Sequence, residues 1–345
     1  MGAQRPPCPP PYPPPRRGEV GVGGAPRDLC GRTVTYLRVS VTDRCNLRCR
    51  YCMPARGVGF LPASEILRFE EIAQVVRAAV GLGITCVRLT GGEPLRRRDL
   101  GHLVALIAAI PAIGDLSLTT NGTLLAGQAA ALARAGLRRV NVSLDTLDPP
   151  RYAQITRGGD VRSVLRGIEA ALAAGLDPVK INAVAVTGAE DDIASLGALS
   201  RSRPLHVRFI EAMPVLGPGS LGHLTAERIL EILARSGDLE PVSGPVGSGP
   251  ARSFRYAGAE GTVGVIAPMS RRFCDACNRL RLTATGRLRP CLFSANGCDL
   301  RPLLRPRSDD AALRAALVDA ISGKPPARPD EIPHDTFGSM CQVGG

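Results

Sequence analysis

From residue 34 onward, short runs rich in Val, Ile and Thr alternate with longer stretches rich in Ala and Leu. The short runs, at 34–42, 85–90, 115–120, 139–145, 179–186 and 205–211, predict strands, because β-branched side chains suit a pleated surface. The longer stretches, at 70–81, 100–109, 128–135, 161–174 and 192–201, predict helices. Six βα-type units in succession predict an α/β fold with a parallel sheet and right-handed crossovers. Such a sheet, when it curls, gives a partial (βα)6 TIM-type barrel, short of the full eight units. From about residue 215 the periodic segments thin out, Gly and Pro become frequent, and a second cysteine group appears. The first 28 residues hold nine prolines and bury too little apolar surface to offset the entropy of ordering. Three regions follow: a disordered Pro-rich extension over 1–28, a partial barrel over 29–214 and a C-terminal region over 215–345.

Polar residues and glycines gather where the predicted strands end: Thr42-Asp43, Thr90-Gly91-Gly92-Glu93, Thr119-Thr120-Asn121-Gly122, Ser143-Leu144-Asp145 and Glu211-Ala212-Met213. Turns and helix caps account for any one of these. Their recurrence fits the carboxyl ends of parallel strands, where barrels of this kind carry their active sites.

Composition narrows the function classes. Hydrophobic residues make up 44% of 345 and there is no Trp, which suits an aliphatic globular interior. No run approaches the roughly 20 apolar residues of a membrane-spanning helix, and Pro6 to Pro15 interrupt any secretory core, so a cytoplasmic protein is expected. The net charge of +12 attracts polyanions, whether nucleic acid, membrane surface or nucleotide triphosphate. Only Lys180 and Lys324 among the 43 basic residues are lysines, so part of the Arg surplus is compositional habit. Eleven cysteines in a reducing compartment point to metal ligation or catalysis rather than disulfides.

Cys45, Cys49 and Cys52 share one short loop after the first predicted strand. Thiolates this close can grip three corners of a four-iron cluster and leave the fourth iron open to a small molecule. A zinc ion is the alternative; it needs a fourth ligand, and Cys30 is the nearest candidate. Cys274, Cys277 and Cys291 form a second triplet, with Arg279 and Arg281 spaced to face one way if that segment is extended. Spacing alone leaves a zinc knuckle completed by Cys298 equally open.

Residues 45–52, CNLRCRYC, resemble the three-cysteine signature of the radical S-adenosylmethionine (SAM) superfamily. Gly91-Gly92-Glu93-Pro94 resembles the second motif of that superfamily, with paired glycines that let a backbone approach a ligand closely. Residues 273–293, FCDACNRLRLTATGRLRPCLF, together with the terminal Gly344-Gly345, are similar to the GTP 3′,8-cyclase family of molybdenum cofactor biosynthesis A proteins. The similarity spans about 32–345.

The resemblance implies a radical SAM barrel whose C-terminal extension carries a second iron–sulfur cluster. One 4Fe–4S cluster would sit on Cys45, Cys49 and Cys52, its open iron binding SAM, and another on Cys274, Cys277 and Cys291, its open iron meeting the guanine of GTP. It implies SAM contacts from Tyr51, Gly92, Ser143 and Met213, and GTP contacts from Arg38, Arg88, Thr119, Lys180, Arg279, Leu280 and Arg281. Arg279, Arg281, Gly344 and Gly345 would complete the catalytic pocket. The implied reaction takes hydrogen from the ribose C3′ of GTP and closes a bond to C8 of guanine, the opening step of molybdenum cofactor synthesis. Its implied partners are an external low-potential reductant and a downstream cyclic pyranopterin monophosphate synthase, with no nucleic acid and no membrane, and with room for a homodimer.

Forked guanidinium donors suit phosphate oxygens. Arg38, Arg88 and Lys180 alternate with apolar residues and therefore read either as solvent-facing strand positions or as the lining of a barrel cavity. Met213 also reads as core filling, and Arg96, Arg97 and Arg98 as a solvated helix start without a role. No role is assigned to Cys8, Cys30, Cys86, Cys298 or Cys341, though Cys298 stands close enough in sequence to compete for the second cluster. Two rivals remain at this point: a peptide- or RNA-modifying radical enzyme, and a zinc-dependent nucleic-acid module, the latter weakened by an aromatic content of 3%.

Overall fold

The computed structural model describes residues 26–213, 222–245, 247, 249–294, 296–328 and 340. The first half alternates strand and helix: β1 (Tyr36–Ser40), α1 (Phe69–Val80), β2 (Cys86–Thr90), α2 (Leu100–Ala108), β3 (Asp115–Thr120) and α3 (Ala129–Arg134). Then follow β4 (Arg139–Ser143), α4 (Pro149–Thr156), α5 (Val161–Ala173), β5 (Val179–Ala185), α6 (Glu190–Ala198) and β6 (Leu205–Glu211). The C-terminal region adds α7 (Ala226–Ala234), β7 (Leu239–Val242), β8 (Arg252–Tyr256), β9 (Thr262–Ile266), β10 (Arg279–Leu282), β11 (Arg287–Arg289), β12 (Cys298–Asp299), α8 (Arg301–Leu304) and α9 (Asp310–Ser322).

All strands join one sheet in the order β12-β11-β10-β1-β2-β3-β4-β5-β6-β9-β8-β7. The six strands expected from the sequence run parallel through its centre. Beyond them, β10 lies parallel to β1 and β9 parallel to β6, so the C-terminal region extends the parallel sheet at both margins rather than standing apart from it. Neither added strand is followed by a covering helix; β9 is entered from the antiparallel β8 and β10 turns into the antiparallel β11, which is why a βα pattern search misses both.

Alternation along the strands divides the sheet into two faces. Leu37, Val39, Val87, Leu89, Leu118, Val140, Val142, Ile181, Val207 and Phe209 are fully buried in the layer between sheet and helices. Each such side chain contributes about 1.5–3 kcal/mol of hydrophobic stabilisation. Helix α1 meets this layer with Ile72, Val75, Val76 and Ala79, and α5 with Val161, Val164, Ile168 and Ala171. Helix α4 lies outside the expected helices; its start is marked by Asp148, whose side chain accepts from Arg151 N, followed by Pro149 at the first turn.

Two local expectations change. Arg97 is no solvated residue: its guanidinium donates to Val41 O at 2.5 Å and Leu67 O at 2.7 Å and stacks 4.1 Å from the Phe69 ring, clamping β1 to α1. Arg96 and Arg98 are exposed, as expected. The described fold also reaches back into the segment read as disordered, for Arg27 bridges to Thr33 and Asp28 is buried in an ion pair with Arg32. Among the described residues no helix is long and apolar enough to cross a membrane.

Candidate active site

The first cysteine loop is shaped by its immediate neighbours. Gly92 N donates to Thr42 O and Glu93 N to Arg44 O, both at 2.7 Å, so the end of β2 lies against the backbone leading into Cys45. A Cβ at Gly92 would stand 2.4 Å from Arg44 O, and one at Gly91 2.6 Å from Thr42 O; the glycine pair is what permits this approach. The far side is tied to the end of α4, with Arg48 N and Arg50 N donating to Thr156 O and Ile155 O. Glu93 is buried and accepts from Leu95 N, Thr120 Oγ1 and Asn121 N; burial pushes its carboxyl up to about 7 against the pull of those bonds. Asn121 in turn donates to Cys45 Sγ at 3.9 Å, and Leu47 N to the same sulfur at 3.4 Å.

The second group is assembled from distant segments. Arg32 donates to Cys274 O at 2.9 Å, Arg328 N to Cys274 Sγ at 3.4 Å, and Lys324 Nζ to the carbonyls of Arg279 and Pro290, both at 2.8 Å. Tyr36 pairs in register with Arg279, so the amino end of β1 lies beside the residues just after Cys277, while its carboxyl end leads to Cys45. The two groups therefore stand beyond opposite ends of the five-residue strand β1. All six cysteines line one cavity of about 380 Å³. The site thus runs the depth of the barrel and is not confined to the carboxyl ends of the strands.

Between the ends the inward face is cationic. Arg38, Arg88, Arg279 and Arg281 line the cavity, and the register sets Arg38 beside Arg88 on one side and Arg281 on the other. Arg88 donates to Ser117 Oγ at 3.2 Å and lies 5.4 Å from the Tyr36 ring. Asp115 is held by Arg139, whose Nε donates to it at 2.6 Å. Burial, then the neighbouring Arg279, lowers Arg281 to about 10. Lys180 does not line the cavity but is fully buried, one inward position below the lining residue Asn182; burial, then Arg208 and Arg139, lowers it to about 6. Cations gathered this way repel one another by about 4 kcal/mol per close pair at an effective dielectric near 20, and an entering polyanion reverses the sign.

Tyr51, Gly92, Ser143 and Met213 line the same cavity near the first group. Tyr51 donates to Asp145 at 2.6 Å, and Asp145 also accepts from Val184 N at 2.8 Å. Thr119 lines the cavity with a buried hydroxyl that has no hydrogen-bond partner among the described residues, and the same holds for the side-chain oxygens of Asn141 and Asn182. Buried polar atoms without partners are the mark of a surface shaped for a ligand. Leu280 is different: it pairs with Leu37 and its side chain is fully buried outside the cavity lining. The Arg-Leu-Arg alternation that turns both arginines inward turns Leu280 away. Gly344, Gly345 and Cys341 lie outside the described residues.

Arg208, Asn141, Asn182, Lys324 and Arg328 also line the cavity and were not anticipated, while Asp145 lines it as the strand-end pattern suggested. Arg208 carried a legible signal, since it stands on the sixth strand at the same alternation as Arg38 and Arg88 on theirs. Burial, then Arg88 and Arg139, lowers it to about 10.

The thiols fit iron–sulfur clusters. Among the described residues no three His, Cys, Asp or Glu side chains gather into a site for a single metal ion. Neither Cys30 nor Cys298, the candidate fourth zinc ligands, lines the cavity, and Cys298 is exposed. Three half-buried thiols at each end, with N–H groups aimed at Cys45 and Cys274, suit a cube that takes one thiolate at each of three corners.

Over residues 39–196 the chain matches the Radical SAM superfamily, and over 205–329 Molybdenum Cofactor Synthesis C. The GTP 3′,8-cyclase of Pelotomaculum thermopropionicum is 51% identical over 324 residues, covering 92% of this chain and 100% of that protein. The GTP 3′,8-cyclase of Moorella thermoacetica is 48% identical over 322 residues, with 92% and 100% covered. In fold, the chain is similar to Streptococcus suis SuiB bound to precursor peptide SuiA, with a TM-score of 0.57 and 15% identity over 89% of this chain and 67% of that one.

Proposed function

Because the chain belongs to the GTP 3′,8-cyclase family of radical SAM enzymes, we propose that its two-ended cavity converts GTP to 3′,8-cyclo-7,8-dihydro-GTP, the first step of molybdenum cofactor synthesis. Cys45, Cys49 and Cys52 would hold one 4Fe–4S cluster, and Cys274, Cys277 and Cys291 a second. The observation that carries the reading is one cavity joining two three-thiol ends across a cationic middle. When bound, the clusters and SAM supply a carbon-centred radical for the ribose C3′ hydrogen and an open iron for the purine.

The protein's own residues fix where that chemistry falls. Tyr51, Gly92, Ser143 and Met213 stand where SAM would lie, with Gly92 leaving the backbone open and the Tyr51–Asp145 bond setting the wall. Arg38, Arg88 and Arg208 face the triphosphate, and Lys180 beneath Asn182 takes up a proton as that anion arrives. Arg279 and Arg281 stand next to the second group, so the substrate is held from both ends and its ribose is fixed relative to the first. Met213, Leu292, Phe293 and Met340 pack as an apolar cluster beside the cavity and exclude water from the radical's path. An external low-potential reductant, a cytoplasmic setting and a downstream cyclic pyranopterin monophosphate synthase complete the proposal.

The test is an anaerobic reconstitution supplied with SAM, GTP and dithionite. 5′-Deoxyadenosine together with a cyclised nucleotide is the expected result; 5′-deoxyadenosine with GTP recovered unchanged would overturn the substrate assignment.

A further inference from the structure

Lys324 is one of two lysines among 43 basic residues and is 4% exposed. Its ammonium donates to Arg279 O and Pro290 O, each at 2.8 Å. Those carbonyls belong to the two limbs of the second group: Arg279 follows Cys277 by two residues, and Pro290 immediately precedes Cys291. One side chain therefore spans the gap between the limbs. The backbone that presents it is fixed in turn, because Arg32 donates to Lys324 O, Pro325 O and Pro326 O as well as to Cys274 O. Arg32 is itself locked to Asp28, Nε to Oδ2 at 2.5 Å.

We propose that Lys324 is a positioning residue of the second cluster site, fixing the spacing of Cys277 and Cys291 and supplying the buried positive charge that makes this cluster the easier of the two to reduce. A lysine suits the place where an arginine would not. It is a compact ammonium on a slim stem, able to donate in two directions at once, whereas a guanidinium holds its donors in one plane. The charge has a direct consequence. A four-iron core bound by three thiolates is an anion, and reduction adds a further negative charge, so a fixed cation favours the reduced form. The first group has a different setting: the cation bonded to its limbs, Arg157, donates to Arg48 O at 2.7 Å and Met53 O at 3.0 Å but is exposed to solvent, which screens its charge, while the buried Asp145 carboxyl, held by Tyr51, lies against the loop. The inference rests on the two-cluster reading given above.

The test uses the full chain, reconstituted anaerobically, as the parent and as Lys324→Gln and Lys324→Met. Iron per chain is measured, and each cluster's reduced fraction is followed by electron paramagnetic resonance at fixed potentials. In Lys324→Gln, which keeps a donor but not the charge, the reduced-to-oxidised ratio of the second cluster is expected to fall about tenfold, equal to about 59 mV for one electron, with the first cluster unmoved. Lys324→Met is expected to lose iron from the second site selectively, and selective loss in Lys324→Gln as well counts for the ammonium as the holding group. Parental iron and parental ratios in both variants would overturn the inference, as would iron lost from both sites in step. A parent chain that binds one cluster would instead overturn the two-cluster reading, so the two failures are distinguishable.

Discussion

Cys45, Cys49 and Cys52 lie within residues 45–52 and are braced by the ends of β2 and α4, whereas Cys274, Cys277 and Cys291 are tied together by side chains from residues 32 and 324. The electrostatic settings differ as well. The Cys52 thiol is pushed well above its ordinary value by its hydrogen bond to Cys49, by burial and by neighbouring negative groups including Asp145. Cys277 is pushed up by burial, but Lys324 and Arg279 outweigh that and leave it below the ordinary thiol value. The comparison teaches that one cavity can carry, at one end, thiols set by neighbours close in sequence and by negative groups and, at the other, thiols laced together by distant cations, with inward-facing arginines between them.

The contrast can be broken at either end. The largest effect is expected from Arg32→Ala, which strands the buried Asp28 carboxylate and removes the bonds to Cys274 and to residues 324–326. Breaking a buried pair of this kind costs about 3–5 kcal/mol. A denaturant melt will read that loss, and iron should leave the second site before the first. Arg281→Ala comes next: cyclised product is expected to fall about 100-fold while SAM cleavage persists, in line with removal of one donor from a preorganised site. Undiminished cyclisation would remove Arg281 from the pocket's chemistry.

Gly92→Ala sharpens the other end. Its Cβ would meet Arg44 O at 2.4 Å, so the first loop must shift, at an overpacking cost of about 1–3 kcal/mol. Iron analysis should show loss at the first site with the second intact. The smallest effect concerns Lys180. Its folded value of about 6 lies below the ordinary 10.5, so between those values the unfolded chain binds the extra proton and stability rises with pH. Lys180→Met should flatten that rise. By the same logic GTP binding near neutral pH should take up up to about one proton, and Lys180→Met should abolish it; calorimetry in buffers of different ionisation enthalpy measures both.

Legibility in the sequence follows the same division. The first loop, the glycine pair and the six central strands were readable because each is set by residues close in sequence: a tight thiol spacing, two residues without a Cβ, and β-branched runs between helices. Arg279 and Arg281 were readable from alternation, and that alternation also shows why Leu280 faces away from the cavity. The margins of the sheet were not readable, since β9 and β10 are joined in the chain to antiparallel partners, β8 before the one and β11 after the other, and neither is followed by a helix. Nor was the lacing of the second group, whose partners Arg32 and Cys274 stand 242 residues apart with no local pattern to join them. Arg97 belongs with these, because an Arg-rich run looks solvated until its carbonyl partners on other elements are known.

The most direct test is the metal content of chain purified and reconstituted without air, measured as iron, sulfide and zinc per chain and paired with the resonance spectrum before and after GTP. Two cubes predict roughly eight irons and eight sulfides, no stoichiometric zinc, and a GTP-induced change confined to the cluster of the second group. Zinc in place of iron at either group, or about four irons with a spectrum indifferent to GTP, would contradict the account.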